Sequence, residues 1–376
     1  MHISAAFDSG NIEVLDASDA NDIQLRIRPD VGEEHLQWFH FRVTGARDTP
    51  CVFRITNAQS ASYPKAWPDT RAVASSDNQD WRRVPTSYES GQLIIRDRPA
   101  TDSVSYAYFA PFSMVRHHEL VSRAAENGAR VDILGETLDG QPIDRIQVGR
   151  GPRSLWIIAR QHPGETMAEW WMDGFIDRLI GLGTGTDRAA TALHEQATVH
   201  IVPNMNPDGS FRGHLRTNAV GINLNRVWHG PSRDRSPEVF HVLNAMDASG
   251  VDLCLDVHGD EELPYVFLSG CEGIPSFTPR LRALSEAFDQ ACIRHVPEFQ
   301  TGQGYNRDAP GTANMTICTN AIAERFDCLA TTLEQPFKDN ANKPDPLYGW
   351  SPARSRQTGA DFVDALLEIT PRLRPL

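Results

Sequence analysis

The sequence predicts an α/β protein: an antiparallel β-sandwich over residues 1–120, followed by a mixed α/β domain over residues 121–376. Three observations predict it. Short alternating segments, divided by turn residues, fill the first third of the chain. From residue 155 onward there are continuous apolar runs, as strands covered on both faces require. Between those runs apolar residues recur at helical spacing.

Taken in order, residues 11–15, 23–28, 37–43, 51–56 and 92–96 read as strands, separated by Asp8-Ser9-Gly10, Pro29-Asp30, Thr49-Pro50 and Ser90-Gly91. Strands this short at this spacing fit a small sandwich. The aromatic run 106–112 reads as a buried strand where the domains join. Residues 113–127 read as a helix. His117, His118 and Glu119 belong to that helix and not to a metal cluster, because neighbouring side chains point to different faces. Residues 155–159, 198–202, 253–257 and 330–333 read as buried strands, and 167–182, 238–248, 278–295 and 358–369 as helices. The glycine-rich stretch 181–185 reads as a loop ending a helix, since it lacks the Lys of a phosphate-binding loop.

Composition narrows the function. Hydrophobic residues make up 40% of 376, enough for a full core. The charge of −13, from 36 basic against 49 acidic residues, disfavours nucleic acid as a partner. No run of ~20 apolar residues suggests a membrane span. The six cysteines are scattered with no C-x-x-C pair, and the first residues do not look like a secretion signal. Reduced thiols in a cytoplasmic protein are the expectation.

Four phrases carry chemistry: Q-H-P-G-E-T, N-L-N-R, L-D-V-H-G-D and T-L-E-Q-P-F. His162 and Glu165 follow the strand 155–159, and His258 follows 253–257. Open α/β sheets place ligands at such carboxyl ends. Catalytic zinc takes three ligands of this kind and leaves a position for water. Asp256 shares the strand face of His258 and is either an orienting partner or a plain buried acid. Glu334 is a spare carboxylate suited to general-base work. Asn206-Pro207-Asp208-Gly209 marks a turn. After it come Arg216, able to polarise a carbonyl and steady an oxyanion, and then Asn225 and Arg226, able to grip a carboxylate.

With H-P-G-E, N-P-D-G, an Arg before G-I-N-L-N-R, D-V-H-G and T-L-E in this order, residues 130–376 resemble the M14 family of zinc metallocarboxypeptidases. Leu134-Gly135-Glu136-Thr137-Leu138-Asp139-Gly140 is similar to that family's opening strand and turn. Tyr108-Phe109-Ala110-Pro111-Phe112-Ser113 leading to Arg116-His117, behind a β domain, is similar to the cytosolic carboxypeptidase subfamily. The resemblance implies a carboxypeptidase-like mixed-sheet α/β/α domain and one zinc per chain on His162, Glu165 and His258. It implies Glu334 as general base, Arg216 beside the oxyanion, and Asn225 and Arg226 on the terminal carboxylate of a peptide or protein substrate. The family's substrate-capping Tyr would be Tyr305, and a basic specificity residue would come from Arg307 or Arg325. A zinc amidohydrolase acting on small N-acyl amino acids, and a silent binder of peptide C-termini, stay open at this point.

Overall fold

The computed structural model describes residues 1–32, 34–182 and 187–374. Its N-terminal strands are β1 (His2–Ser4), β2 (Glu13–Asp16), β3 (Ile23–Arg26), β4 (His40–Thr44), β5 (Cys51–Ile55), β6 (Val73–Ser75), β7 (Arg82–Arg83), β8 (Thr86–Glu89), β9 (Gln92–Asp97) and β10 (Ser103–Ala107). They form two five-stranded sheets, β1-β4-β10-β6-β7 and β2-β3-β5-β9-β8. Every pairing is antiparallel except β3 with β5. The sheets meet through aromatic rings. Phe53 of one lies 5.5 Å from Phe41 and 4.9 Å from Tyr106 of the other. Alternating burial along β5 turns Phe53 inward, as a half-buried strand requires. The expected sandwich is therefore present.

The chain continues with α1 (Met114–Glu126), β11 (Arg130–Glu136), β12 (Pro142–Gly149), β13 (Arg153–Ala159), α2 (Met167–Leu179), α3 (Arg188–Gln196), β14 (Ala197–Val202), α4 (Pro207–Arg212), α5 (Pro237–Ser249), β15 (Leu253–Val257), β16 (Phe267–Ser269), α6 (Pro279–His295), α7 (Cys318–Phe326), β17 (Leu329–Glu334) and α8 (Pro352–Ile369). One seven-stranded mixed sheet orders them β11-β12-β14-β13-β15-β17-β16. The central four, β14-β13-β15-β17, are parallel, and the outer strands are antiparallel. Every residue of β13, β15 and β17 is buried, which is why Leu155–Ala159 reads as an unbroken apolar run and the other two as short apolar runs interrupted only by Asp256 and by Thr331 and Thr332. Helix α8 packs on α2, α3 and α6, α5 on β11, and α7 on β15 and β17. No described helix is long and apolar enough to cross a membrane.

Several expected bounds shift. Helix α8 starts at Pro352, not 358, because Ser351 caps it by accepting from the Arg354 amide and Pro352 opens its first turn. The arginines of that turn masked the periodicity. Strands β6, β7 and β8 were not expected; they are two to four residues long, too short to show a period. Of the loop expected at 181–185, residues 183–185 lie outside the described residues.

Register places the site. Ala159 pairs with Val257, and Val257 with Leu333. His258 and Glu334 are thus the first residues past the same level of neighbouring strands, and His162 follows three residues after Ala159. The sandwich docks beside this edge. Tyr108 stacks on Phe337 at 4.7 Å. The buried Arg83 guanidinium donates to the carbonyls of Phe337 (2.6 Å) and Lys338 (2.8 Å), just past Glu334, and to that of Trp350 (3.1 Å) further along the chain.

Candidate active site

The two carboxylate oxygens of Glu165 face the two histidines. Oε1 lies 2.6 Å from His162 Nδ1 and Oε2 lies 2.7 Å from His258 Nδ1. The Gly259 amide also donates to Oε2 at 3.0 Å. The outer nitrogen of one ring has an acceptor of its own, His162 Nε2 lying 3.1 Å from Asn223 Oδ1, whereas His258 Nε2 lies 3.0 Å from Asp256 Oδ2 without a hydrogen bond between them. An outer acceptor such as Asn223 Oδ1 fixes the tautomer and aims Nδ1 inward. Asp256 is fully buried and accepts from Gln161 Nε2 at 2.6 Å. Burial, with Arg216 nearby, pushes the His162 pKa down to about 3 and leaves a neutral imidazole with a lone pair to give. The three candidate ligand atoms lie within 4.8 Å of one another, all in buried residues. Two imidazole nitrogens and a carboxylate suit zinc, and these residues fit it.

The turn bearing His162 and Glu165 is braced from below. Arg160, with φ +58°, leaves β13 in the left-handed region, a conformation that side chains adopt only when held. Its buried guanidinium donates to the Pro163 carbonyl (3.0 Å), the Phe112 carbonyl (2.8 Å) and Glu169 (2.5 Å). His117 lies beneath, 2.7 Å from Glu169 and 3.1 Å from Asp144. Burial opposes its charge, but these two carboxylates raise its pKa to about 9. His117 is a buried ion-pair partner, and His118 and Glu119 face solvent, as helix residues and not as a metal cluster.

Opposite the ligands, a cavity of about 610 Å³ brings together Glu334, Arg216, Asn225, Arg226 and Tyr305 with His162, Glu165 and His258. Glu334 is buried, and its Oε2 has no hydrogen-bond partner. Burial raises its pKa well above the carboxylate range, against the pull of His258 and with Glu165 and Asp260 adding to it. Tyr305 donates to Glu334 Oε1 at 3.2 Å and Asp260 Oδ2 at 2.5 Å. Asn225 Oδ1 accepts from the Cys318 amide (2.8 Å), and the Arg226 guanidinium donates to the Asn225 carbonyl (2.6 Å). Arg216 lies over the ring of Tyr63 at 5.6 Å.

Sequence reading missed some of this site. Asp260 and Glu261 line the cavity two and three residues past His258, where adjacency alone could have flagged them. Tyr63 comes from the sandwich and has no local signal. Neither expected specificity arginine lines the cavity. Arg325 pairs with Asp247 at 2.7 Å and Arg307 with Glu272 at 3.2 Å, both on the surface.

Comparison with known proteins agrees with this geometry. Residues 3–109 match the cytosolic carboxypeptidase N-terminal domain, and residues 114–334 match the zinc carboxypeptidase family. A metallo-carboxypeptidase from Pseudomonas aeruginosa, solved with (2-guanidinoethylmercapto)succinic acid, is 47% identical over all of both chains, with a TM-score of 0.96. A Zymomonas mobilis protein of uncharacterised function is 48% identical over 99% of this chain and 97% of its own. Cytosolic carboxypeptidase 6 of Caenorhabditis elegans is 27% identical over 71% of this chain and 64% of its own. Other cytosolic carboxypeptidases are matched over only 26–30% of their length. Both matches fall in the order and place of the sandwich and the sheet-edge site, and the chain belongs to the zinc carboxypeptidase family, as a metallocarboxypeptidase with a cytosolic-carboxypeptidase-type N-terminal domain.

Proposed function

We propose that this metallocarboxypeptidase removes C-terminal residues from peptides or proteins with one zinc held by His162, Glu165 and His258. Bound there, zinc supplies Lewis-acid polarisation of the scissile carbonyl and acidifies the attacking water. Glu334, across the cavity with a free carboxylate oxygen, takes the water's proton and delivers it to the leaving amine. Arg216 faces the developing oxyanion. Asn225 and Arg226 grip the terminal carboxylate, and Tyr305 covers the substrate end. The observation that carries this reading is the convergence of all eight side chains on one cavity at the carboxyl ends of adjacent parallel strands.

The division at residue 120 into sandwich and catalytic domain is part of this proposal, as is work in the cytoplasm. Six free, buried cysteines support a reducing compartment. A guanidino dicarboxylate of the kind seen with the Pseudomonas relative is expected to compete with substrate, its carboxylates meeting Asn225, Arg226 and Arg216.

The test is mass spectrometry of a mixed peptide pool incubated with zinc-loaded protein and with a chelator-treated control. Single-residue C-terminal losses confined to the zinc-loaded sample are expected. A protein holding one zinc that trims nothing would overturn the reading.

A further inference from the structure

We propose that the N-terminal sandwich completes the active site: Asp30 is a positioning residue that holds Arg216 in the cavity through the backbone of residues 215–217, and Tyr63 is the surface on which its guanidinium rests. This rests on the role proposed above for Arg216.

Arg216 belongs to no helix or strand. Its guanidinium makes no hydrogen bond among the described residues, and a free Arg side chain loses rotamer entropy on being fixed. Something else must aim it. Asp30, buried in the sandwich, reaches the loop with both oxygens. Oδ1 accepts from the Leu215 amide at 2.7 Å. Oδ2 accepts from the amides of Arg216 (2.8 Å) and Thr217 (2.9 Å) and from Thr217 Oγ1 (3.0 Å). Three consecutive amides converging on one carboxylate fix the path of that backbone.

The ends of the loop are also fitted to the sandwich. Asn11 Nδ2 donates to the Gly213 carbonyl at 2.9 Å. Gly213 and Gly221 have φ of +71° and +80°, and a Cβ there would lie 2.7 Å from the Ser9 carbonyl oxygen and 2.4 Å from that of Val31. On its other side the loop accepts from the turn that bears His162 and Glu165, with Gly164 donating to the Leu215 carbonyl at 2.8 Å. The loop is therefore tied to the sandwich on one side and to the His162–Glu165 turn on the other. Tyr63 is held in turn by Gln37, whose Oε1 accepts from the Tyr63 amide at 2.8 Å. Its ring lies 5.6 Å from the Arg216 guanidinium carbon, within cation–π range.

The test uses the full zinc-loaded chain and a double-mutant cycle. Asp30→Asn turns a donor toward the loop amides, and is expected to lower kcat about 100-fold, the cost of a small misplacement, with KM little changed. Arg216→Ala is expected to lower kcat about 100- to 1000-fold. The double variant should be no worse than Arg216→Ala, within about twofold. Tyr63→Leu should lower kcat, and Tyr63→Phe should recover it. Losses that multiply in the double variant, or wild-type turnover by Asp30→Asn, overturn the proposal. Should Asp30→Asn not fold, Thr217→Val, which removes one of the four donors, runs the same cycle with the same criterion. Amide hydrogen exchange reads the positioning independently of turnover. Faster exchange at residues 215–217 in Asp30→Asn, with β15 and β17 unchanged, is expected; unchanged exchange at 215–217 overturns the proposal even if no peptide is cut.

Discussion

The proposed metal-ligand side and the proposed oxyanion side of this cavity are built by different means. His258 is one residue past a fully buried parallel strand and Glu334 is the last residue of the next one, so strand register sets their level. Arg216 sits on a loop whose shape is set by residues nearly two hundred positions earlier in the chain. A rigid sheet edge gives precision through the ladder itself. A loop needs a brace, and here a second domain supplies it. The lesson is that one catalytic cavity can draw its geometry from two sources, which separate perturbations should tell apart.

The comparison breaks first at Glu334. Replacing it with Ala should cost about 10²–10⁴ in kcat, the usual share of a general base, with zinc still bound one per chain. Steady-state kinetics paired with metal analysis checks this, and normal turnover would end the mechanism. A smaller effect is expected at Asp256, whose Oδ2 faces His258 Nε2 at 3.0 Å. Asp256→Ala should weaken zinc about 10–100-fold in competition with a chromophoric chelator, the usual cost of losing an outer partner. Equal zinc affinity would show that the ladder alone orients His258.

On the loop side, Gly221→Ala should destabilise the fold by about 1–3 kcal/mol, because φ of +80° strains any Cβ and that Cβ meets the Val31 carbonyl. Denaturant midpoints measure it, and zinc affinity should hold. A loss of zinc affinity instead would erase the distinction between the two sides.

The mildest expected effect concerns His117, under the metal-ligand turn. Its pKa is raised from 6.5 to about 9 in the folded protein, so its contribution to stability is complete below about 6.5 and is lost as pH rises through about 9. Unfolding midpoints should fall across that alkaline window, and His117→Gln should flatten the fall. A wild-type midpoint that holds steady there would mean the imidazole does not carry charge.

These differences also explain what the sequence made legible. The proposed ligands His162, Glu165 and His258 were readable because each follows a largely apolar run, and burial on both faces writes such runs into composition. Glu334, proposed as the base, was readable from its place in the T-L-E-Q-P-F phrase, its strand being interrupted by Thr331 and Thr332. Tyr63 and Asp30 were not, because nothing local to residues 30 or 63 marks a contact with residue 216. Arg325 and Arg307 sat in a plausible stretch, yet their partners Asp247 and Glu272 hold them at the surface. Within the sandwich the inward Phe53 and Phe41 alternation was visible, whereas β6, β7 and β8 pair over spans too short to carry a period.

Arg83 gives the sandwich a second hold, on the carbonyls of Phe337 and Lys338 just beyond Glu334 and on that of Trp350 further along the chain. With Asp30 on the loop of Arg216, that makes two attachments, each next to a residue proposed for the chemistry. The consequence concerns inheritance. A domain joined to its neighbour by a loose linker can be traded between genes without harm to the reaction. This one is expected not to be: a recombinant in which a foreign sandwich lacks an acid at position 30 or a guanidinium at position 83 should fail as an enzyme. The two halves of the chain are expected to have descended as a single unit of selection.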